Sequence, residues 1–373
     1  MKFRALGAVA VAATLAFSVA ACGDDEPTTS GGGGGGEATQ EATKAKVGVI
    51  LPDAASSARW ETADRKFLGE AFDAAGVESD IQNANGDKAK FATIADQMLN
   101  AGANVLLIVN LDSPSAAAVI NKAKQQGVPV IDYDRLTLGG GAQYYVSFDN
   151  VAVGTAIGSG LVKCMQDAGK SSGPVALLNG SPTDNNATLF KQGYEKAITD
   201  GGYTVAADQS VPDWDNTKAG TIFEQMFTKA KGDFVGVAAA NDGLGGAVAA
   251  VLKREGAEEI PTTGQDATDE GLQRVLLGTQ CVTVYKAIKK EADAAAALAI
   301  ALAKGDTAGA DGQATGSVED TETKQQVKSV LLEPQQITKE NVKDVVADGF
   351  TTADKICTSE ALQKACEENG VSG

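Results

Sequence analysis

No histidine occurs anywhere in the 373 residues. That absence removes Ser-His-Asp and Cys-His nucleophilic catalysis and the commonest zinc sites. A binder is then favoured over a hydrolase, although carboxylate-only enzymes survive the test. Basic residues are in deficit: 32 Lys and Arg face 49 Asp and Glu, for a net charge of −17. Such acidity disfavours nucleic acid and anionic lipid surfaces, and it keeps an exposed protein soluble. Aromatic residues make up only 5%, with two tryptophans, so the position of each is informative. Cysteines number five, with no CxxC pair, and without histidine no metal site is expected. No cofactor is expected either. Gly243 to Gly246 lacks the strand–GxGxxG–helix form of a dinucleotide site. Asp213, Asp215 and Glu224 loosely resemble a calcium loop, but Lys218 stands where that loop needs glycine.

What is present begins at the N-terminus. Lys2 and Arg4 precede an apolar run, Ala5 to Ala20, too short to span a bilayer as a permanent helix. Val19-Ala20-Ala21 then leads into Cys22. This is the pattern of a lipoprotein export signal over residues 1–21, with Cys22 as the lipidated first residue. Residues 22–45 carry a hexaglycine, Gly31 to Gly36, and no apolar periodicity, so they read as a disordered tether. A Gly-rich coil of that length reaches about 25 Å. The expectation is an exported chain held by lipid on the outer face of the cytoplasmic membrane, at the cell surface or in a periplasm. In that oxidising setting four cysteines remain to pair. Cys357–Cys366 is the first choice and Cys164–Cys281 the second; other pairings, or buried thiols at Cys164 and Cys281, stay open.

From Lys46 onward, short β-branched runs alternate with longer Ala-rich amphipathic ones, the rhythm of buried parallel strands and covering helices. Strands are predicted at 47–51, 80–82, 105–109 and 128–131, with helices at 62–75, 88–101 and 115–126. After Ser147-Phe148-Asp149-Asn150 the rhythm restarts. Helices at 151–167, 186–200, 216–230, 243–255 and 269–277 separate strands at 175–178, 204–207, 234–238, 261–264 and 281–285. A long Ala/Leu helix covers about 287–304, residues 305–316 read as loose, 327–332 as extended and 339–347 as helical. Two βα series in tandem imply an α/β fold of two doubly wound, Rossmann-like parallel-sheet lobes joined by a hinge of several crossovers. The first lobe is predicted at 46–148 plus 287–326, the second at 149–286 plus 327–373.

In such sheets a ligand sits beyond the carboxyl ends of the strands. Those positions hold Ser56-Ser57-Ala58-Arg59-Trp60, Asn110-Leu111-Asp112 and Asp132-Tyr133-Asp134-Arg135 in the first series. The second supplies Ser181 to Asn186, Asp213-Trp214-Asp215, Asn241-Asp242, Gln265-Asp266 and Lys286. A neutral sugar needs this mixture. Its hydroxyls both donate and accept, planar Asp, Asn and Arg groups grip them in pairs, and its C–H faces stack on flat aromatics. Trp60 and Trp214 fall one in each lobe at these ends. Singly, each residue has an ordinary role in packing, ion pairing or helix capping; their coincidence at one edge of both sheets points to a shared pocket.

Seven motifs in order carry a resemblance: Ser57-Ala58-Arg59-Trp60, Asp132-Tyr133-Asp134-Arg135, Ser147-Phe148-Asp149-Asn150, Gly180 to Asn186, Asn241-Asp242-Gly243, Gly264-Gln265-Asp266-Ala267 and Val284-Tyr285-Lys286. From about Lys46 to Phe350 the chain resembles the periplasmic sugar-binding proteins of ABC importers, in the xylose-binding and multiple-sugar-binding branch. The resemblance implies a type I periplasmic binding protein, a Venus-flytrap with the sugar held between its lobes. It implies a ligand set of Arg59, Trp60, Asp134, Arg135, Asn186, Trp214, Asn241, Asp266 and Lys286. In that set Arg135, Asn241, Asp266 and Lys286 bond hydroxyls and the ring oxygen, Trp60 and Trp214 stack, and Phe148-Asp149 marks the first crossover. The expected function is capture of a monosaccharide, D-xylose or a related aldopyranose, by a monomer without enzymatic activity that delivers it to ABC permease subunits in the membrane. Rival readings are a receptor for another small polar solute, a co-receptor for a sensory kinase, and a carboxylate-dependent glycosidase using Asp134 and Asp266. The C-terminal cysteine pair has no counterpart in the family pattern.

Overall fold

The structure is a computed structural model and describes residues 44–372. The expected export signal, Cys22 and nearly all of the tether lie outside the described residues. The first βα series runs β1 (Lys46–Leu51), α1 (Arg65–Ala74), β2 (Glu78–Asn83), α2 (Lys88–Asn100), β3 (Val105–Ile108), α3 (Ser113–Gln125), β4 (Val130–Tyr133) and β5 (Tyr144–Phe148). The second follows as α4 (Asn150–Asp167), β6 (Pro174–Asn179), α5 (Asn185–Asp200), β7 (Thr204–Ser210), α6 (Asn216–Lys229), β8 (Gly236–Ala239), α7 (Asp242–Glu255), α8 (Asp269–Leu277) and β9 (Thr283–Tyr285). The chain ends with α9 (Ile288–Ala303), α10 (Thr307–Gln313), β10 (Gly316–Glu319), β11 (Gln326–Leu332), β12 (Gln335–Ile337), α11 (Val342–Ala347), α12 (Ala353–Ile356) and α13 (Glu360–Glu368).

The first lobe is a seven-stranded sheet in the order β10-β11-β5-β4-β3-β1-β2, parallel throughout except for the edge strand β10. Its central strands are apolar on both faces because helices cover both. Val47, Val49, Leu51, Val105 and Leu107 pack under α1 and α9, while Ile50, Leu106 and Ile108 pack under α2 and α3. Caps set where the helices begin: Asp87, Asp112 and Asp149 each accept from backbone N–H groups of the following turn. The second lobe has a parallel β7-β6-β8 sheet, widened by single bridges from Val237 to Thr262 and from Thr263 to Val282. Against it α4 and α5 pack closely enough that a Cβ at Gly154 would fall 2.0 Å from the Phe190 carbonyl oxygen.

Three passages join the lobes. β5 lies in the first sheet and α4 packs on the second lobe; α9 returns to the first sheet after β9; and β12 pairs antiparallel with β9 after β11. Here the sequence reading needs correction. Residues 327–332 were expected with the second lobe, but β11 runs parallel to β5, Ser329 opposite Tyr145, inside the first sheet. The loose stretch 305–316 contains the helix α10, seated by the fully buried Ala310. Beyond α11 two further helices, α12 and α13, pack on α8 around a small core that includes Ala267, Tyr285, Ile337 and Ile356. Cys357 is disulfide-bonded to Cys366 in this segment, and Cys164 on α4 to Cys281, with Cα separations of 6.2 and 6.1 Å. Among the described residues no helix is long and apolar enough to cross a membrane.

Candidate functional site

The carboxyl ends of both sheets face one another across a narrow cavity, almost closed between the lobes. Its wall is formed by the turns that the βα rhythm places there. After β1, Asp53 folds the chain back by accepting from the N–H groups of Ala55 and Ser56 at 2.7 and 2.5 Å. Its other oxygen accepts from Ser56 Oγ at 2.9 Å, and Ser56 Oγ accepts from Trp60 Nε1 at 3.3 Å. The loop thereby anchors the first indole. After β4, Asp134 takes a left-handed backbone (φ 62°). Few non-glycine residues adopt that region, and it turns this carboxylate toward the gap. From the second lobe come Asn186 in the first turn of α5, Trp214 after β7, Asn241 as the cap of α7, Asp266 at φ 92° and Lys286 just beyond β9.

Charge is concentrated here. The Arg59 guanidinium binds Asp64 through Nε and Nη2 at 2.9 and 2.7 Å, Asp134 through Nη1 at 2.8 Å, and Glu291 through Nη2 at 2.6 Å. Its carbon stands 4.3 Å from the centre of the Trp60 ring, so the cation also faces the first plate. Lys286 Nζ lies between carboxylates, 3.6 Å from Asp134 Oδ2 and 3.4 Å from Asp266 Oδ1. Burial pushes the Asp134 carboxyl up, but Lys286, Arg59 and Arg135 together outweigh it and hold the group at about 2. Burial also pushes Glu291 up; Arg59 opposes this, Asp134 and Asp64 reinforce it, and the group settles at about 8. Burial pulls the Lys286 ammonium down, yet Asp134 and Asp266 keep it above its usual value.

The lobes are closed on each other. Asn186 Nδ2 donates to the Asp134 carbonyl oxygen at 2.8 Å, Arg135 Nε meets Asp184 Oδ2 at 3.1 Å, and Ser57 Oγ donates to Asp266 Oδ2 at 3.4 Å. Asp184 serves both lobes, since its Oδ2 also accepts from Trp214 Nε1 at 3.0 Å. Two buried acceptors in the lining, Gln265 Oε1 and Asp266 Oδ1, have no hydrogen-bond partner among the described residues. Lys286 is near Asp266 Oδ1 but not aligned to donate to it.

All nine residues singled out from the sequence line this cavity: Arg59, Trp60, Asp134, Arg135, Asn186, Trp214, Asn241, Asp266 and Lys286. Each is between 2% and 8% exposed, so the site is almost sealed. Ser56, Ser57, Asp184, Phe190 and Gln265 also line it. Four of these belong to motifs already visible in the sequence; Phe190 lies one turn into α5 on the face of Asn186 and carried no separate signal. Asp64 and Glu291, which hold Arg59 from behind, were missed. Among the described residues no group of three or more His, Cys, Asp or Glu is placed to hold a metal ion.

The family model for the periplasmic binding protein domain matches residues 47–307. The chain belongs to the periplasmic binding protein family. Among its relatives is a D-xylose-binding periplasmic protein of Haemophilus influenzae, 33% identical over 83% of this chain and 92% of that one. A multiple sugar-binding periplasmic protein of Azospirillum brasilense is 31% identical over 83% of this chain and 90% of its own length. A carbohydrate transporter solute-binding protein from Chloroflexus aurantiacus, solved in complex with D-glucose, superposes with a TM-score of 0.73 at 27% identity, covering 83% of this chain and 97% of that one. The fold is that of type I periplasmic sugar-binding proteins, two parallel-sheet lobes with a cleft between them.

Proposed function

We propose that this protein captures an uncharged monosaccharide, D-xylose or a related aldopyranose, and delivers it to an ABC importer. One observation carries the reading: a nearly sealed cavity offers two indoles, three cationic groups and two buried acceptors that lack hydrogen-bond partners among the described residues. A buried acceptor left unpaired is costly, and a ligand rich in hydroxyl donors supplies the missing bonds. The names of the relatives point the same way. Lobes comprising 46–148 with 287–332, and 149–286 with 333–372, open about the three passages to admit the sugar and close over it. Cys22 is the lipid anchor and residues 1–21 the export signal, so the protein works outside the cytoplasm.

A glycosidase is disfavoured by charge. Such an enzyme needs a carboxyl with a raised pKa beside the scissile bond. Asp134 is held at about 2 by its cations despite burial, and Glu291, the carboxyl pushed up to about 8, is not among the residues lining the cavity. The test is a thermal-shift screen across pentoses and hexoses, followed by calorimetry. A sugar at about 100 times its Kd stabilises the protein by about 2.7 kcal/mol. Arg135→Ala and Asp266→Ala each weaken binding by more than tenfold. No shift with any aldose, or unchanged affinity in both variants, overturns the proposal.

A further inference from the structure

Gly180, between β6 and α5, is not among the glycines with a left-handed backbone, so its conformation does not call for glycine. Space does. A Cβ at Gly180 would fall 2.0, 2.2 and 2.5 Å from Cη2, Cζ2 and Cζ3 of Trp214, on the six-membered ring of the indole. The plate lies flush against bare backbone. The segment that carries it is held just as tightly. Asp213 and Trp214 both adopt left-handed backbone, at φ 59° and 56°, unusual for a non-glycine residue and more so for an indole. The turn is over-determined from several sides. Pro212 opens it, Asp213 N–H donates to Ser181 Oγ at 3.2 Å, and Asp215 closes it by capping α6. Phe190 meets the indole edge-on at 6.4 Å between ring centres, and Asp184 takes its N–H.

We propose that Gly180 is a positioning residue for the ligand, acting through Trp214: its missing side chain is the slot that fixes the tilt of the second plate. The inference rests on the sugar-binding reading for its effect on affinity. A plate tilted out of the slot no longer faces a C–H surface squarely, and its N–H leaves Asp184 Oδ2. That oxygen also pairs with Arg135 of the opposite lobe, so plate position and lobe closure share one acceptor. A residue that merely fills the core would change stability without changing recognition.

The test is a double-variant cycle read by D-xylose and D-glucose titration and by near-UV circular dichroism in a Trp60→Phe background, where Trp214 is the remaining indole. Gly180→Ala should weaken binding at least tenfold and alter the indole spectrum without ligand. In a Trp214→Ala background the same change should alter affinity less than twofold. An unaltered spectrum, affinity within twofold of the parent, or an equal loss in both backgrounds overturns the inference. Should Gly180→Ala alone fail to fold, the Tm of Gly180→Ala/Trp214→Ala decides: equality with Trp214→Ala supports the slot, and a clearly lower value overturns it. If the parent protein binds neither sugar, the titrations use whichever aldose the thermal-shift screen selects; if none binds, the functional reading falls, while the ligand-free spectrum still tests the slot.

Discussion

Replacing Arg59 by methionine tests the buried charge cluster directly. The guanidinium makes four bonds to three carboxylates, and Asp64, Asp134 and Glu291 are all at most 4% exposed. Methionine keeps the length and apolar stem but removes the only cation among the described residues that touches all three. Breaking a buried pair by deleting one partner costs about 3–5 kcal/mol, because a charge is left without compensation. That is a large part of the roughly 5–15 kcal/mol that holds a typical protein folded. The sign of the pH dependence follows. Without Arg59 the burial of Glu291 is less opposed, so its pKa climbs further above the unfolded value, and Asp134 loses one of the three cations that hold it down. The native variant then binds more protons than the unfolded one, and it gains stability as the pH falls from 8 to 5.5. Urea unfolding of parent and Arg59→Met at both pH values measures this. The deficit should be several kcal/mol at pH 8 and smaller at pH 5.5. Arg59→Lys keeps the charge without the planar fork and should fall between. A deficit under about 1 kcal/mol, typical of an exposed pair, refutes the reasoning, as does a deficit that grows in acid.

Glu291 gives a second pH signature. Its carboxyl is raised from 4.5 to about 8, chiefly by burial. The stability this lends is full below the unfolded value and fades as the pH climbs toward 8. The parent should lose stability across pH 5–8, and Glu291→Gln should flatten that slope; parallel slopes would count against a protonated Glu291. The two disulfides should differ in worth. Closing the loop of 117 residues between Cys164 and Cys281 is worth about 5 kcal/mol on chain-entropy grounds, against roughly 2–3 kcal/mol for the loop of 9 between Cys357 and Cys366. Denaturation of the paired Cys→Ser variants under oxidising conditions checks the order, and a costlier loss at Cys357–Cys366 would contradict it.

The alternation of strand and helix was legible because parallel strands buried on both faces must be continuously apolar. Val105 to Ile108 is the plainest case, buried at every position. What failed was non-local or ran against propensity. Residues 327–332 read correctly as extended, but nothing in a period of two tells which sheet a strand joins. The pairing of β11 with β5 spans about 180 residues, and the seam between lobes runs beside it. The helix α10 carries two glycines in seven residues, Gly309 and Gly312, so local propensity argued for a loop. Burial of Ala310 and the cap from Asp306 override it. Of the C-terminal segment only the helix near 339–347 was read; α12 is a single turn, while the nine-residue α13, with its buried stripe of Leu362, Ala365 and Cys366, was missed.

The site divides into two layers that differ in legibility for a physical reason. The outer layer consists of polar tips at strand ends, where the doubly wound fold exposes whatever follows each strand. Once the alternation had implied a doubly wound fold, reading the polar residues after each strand therefore brought out Asp134, Asn241, Asp266 and Lys286, which the family resemblance also implied. The inner layer comes from helices. Asp64 sits in the irregular turn before α1, and Glu291 lies among the alanines of α9. Yet Glu291 carried a signal. Ile288, Ala292, Ala295 and Ala299 form the buried stripe of that helix, and Glu291 falls within the same stripe. An acid on an apolar helix face must either meet a cation or stay protonated. Here it does some of both, lying 2.6 Å from Arg59 while burial raises its pKa. Arg59 in turn must be fixed before a ligand arrives, because a mobile guanidinium would lose its freedom on binding and weaken the complex. On the proposed sugar-binding reading the affinity is therefore set partly by carboxylates that do not line the cavity, and Glu291→Gln should be felt in recognition as well as in stability.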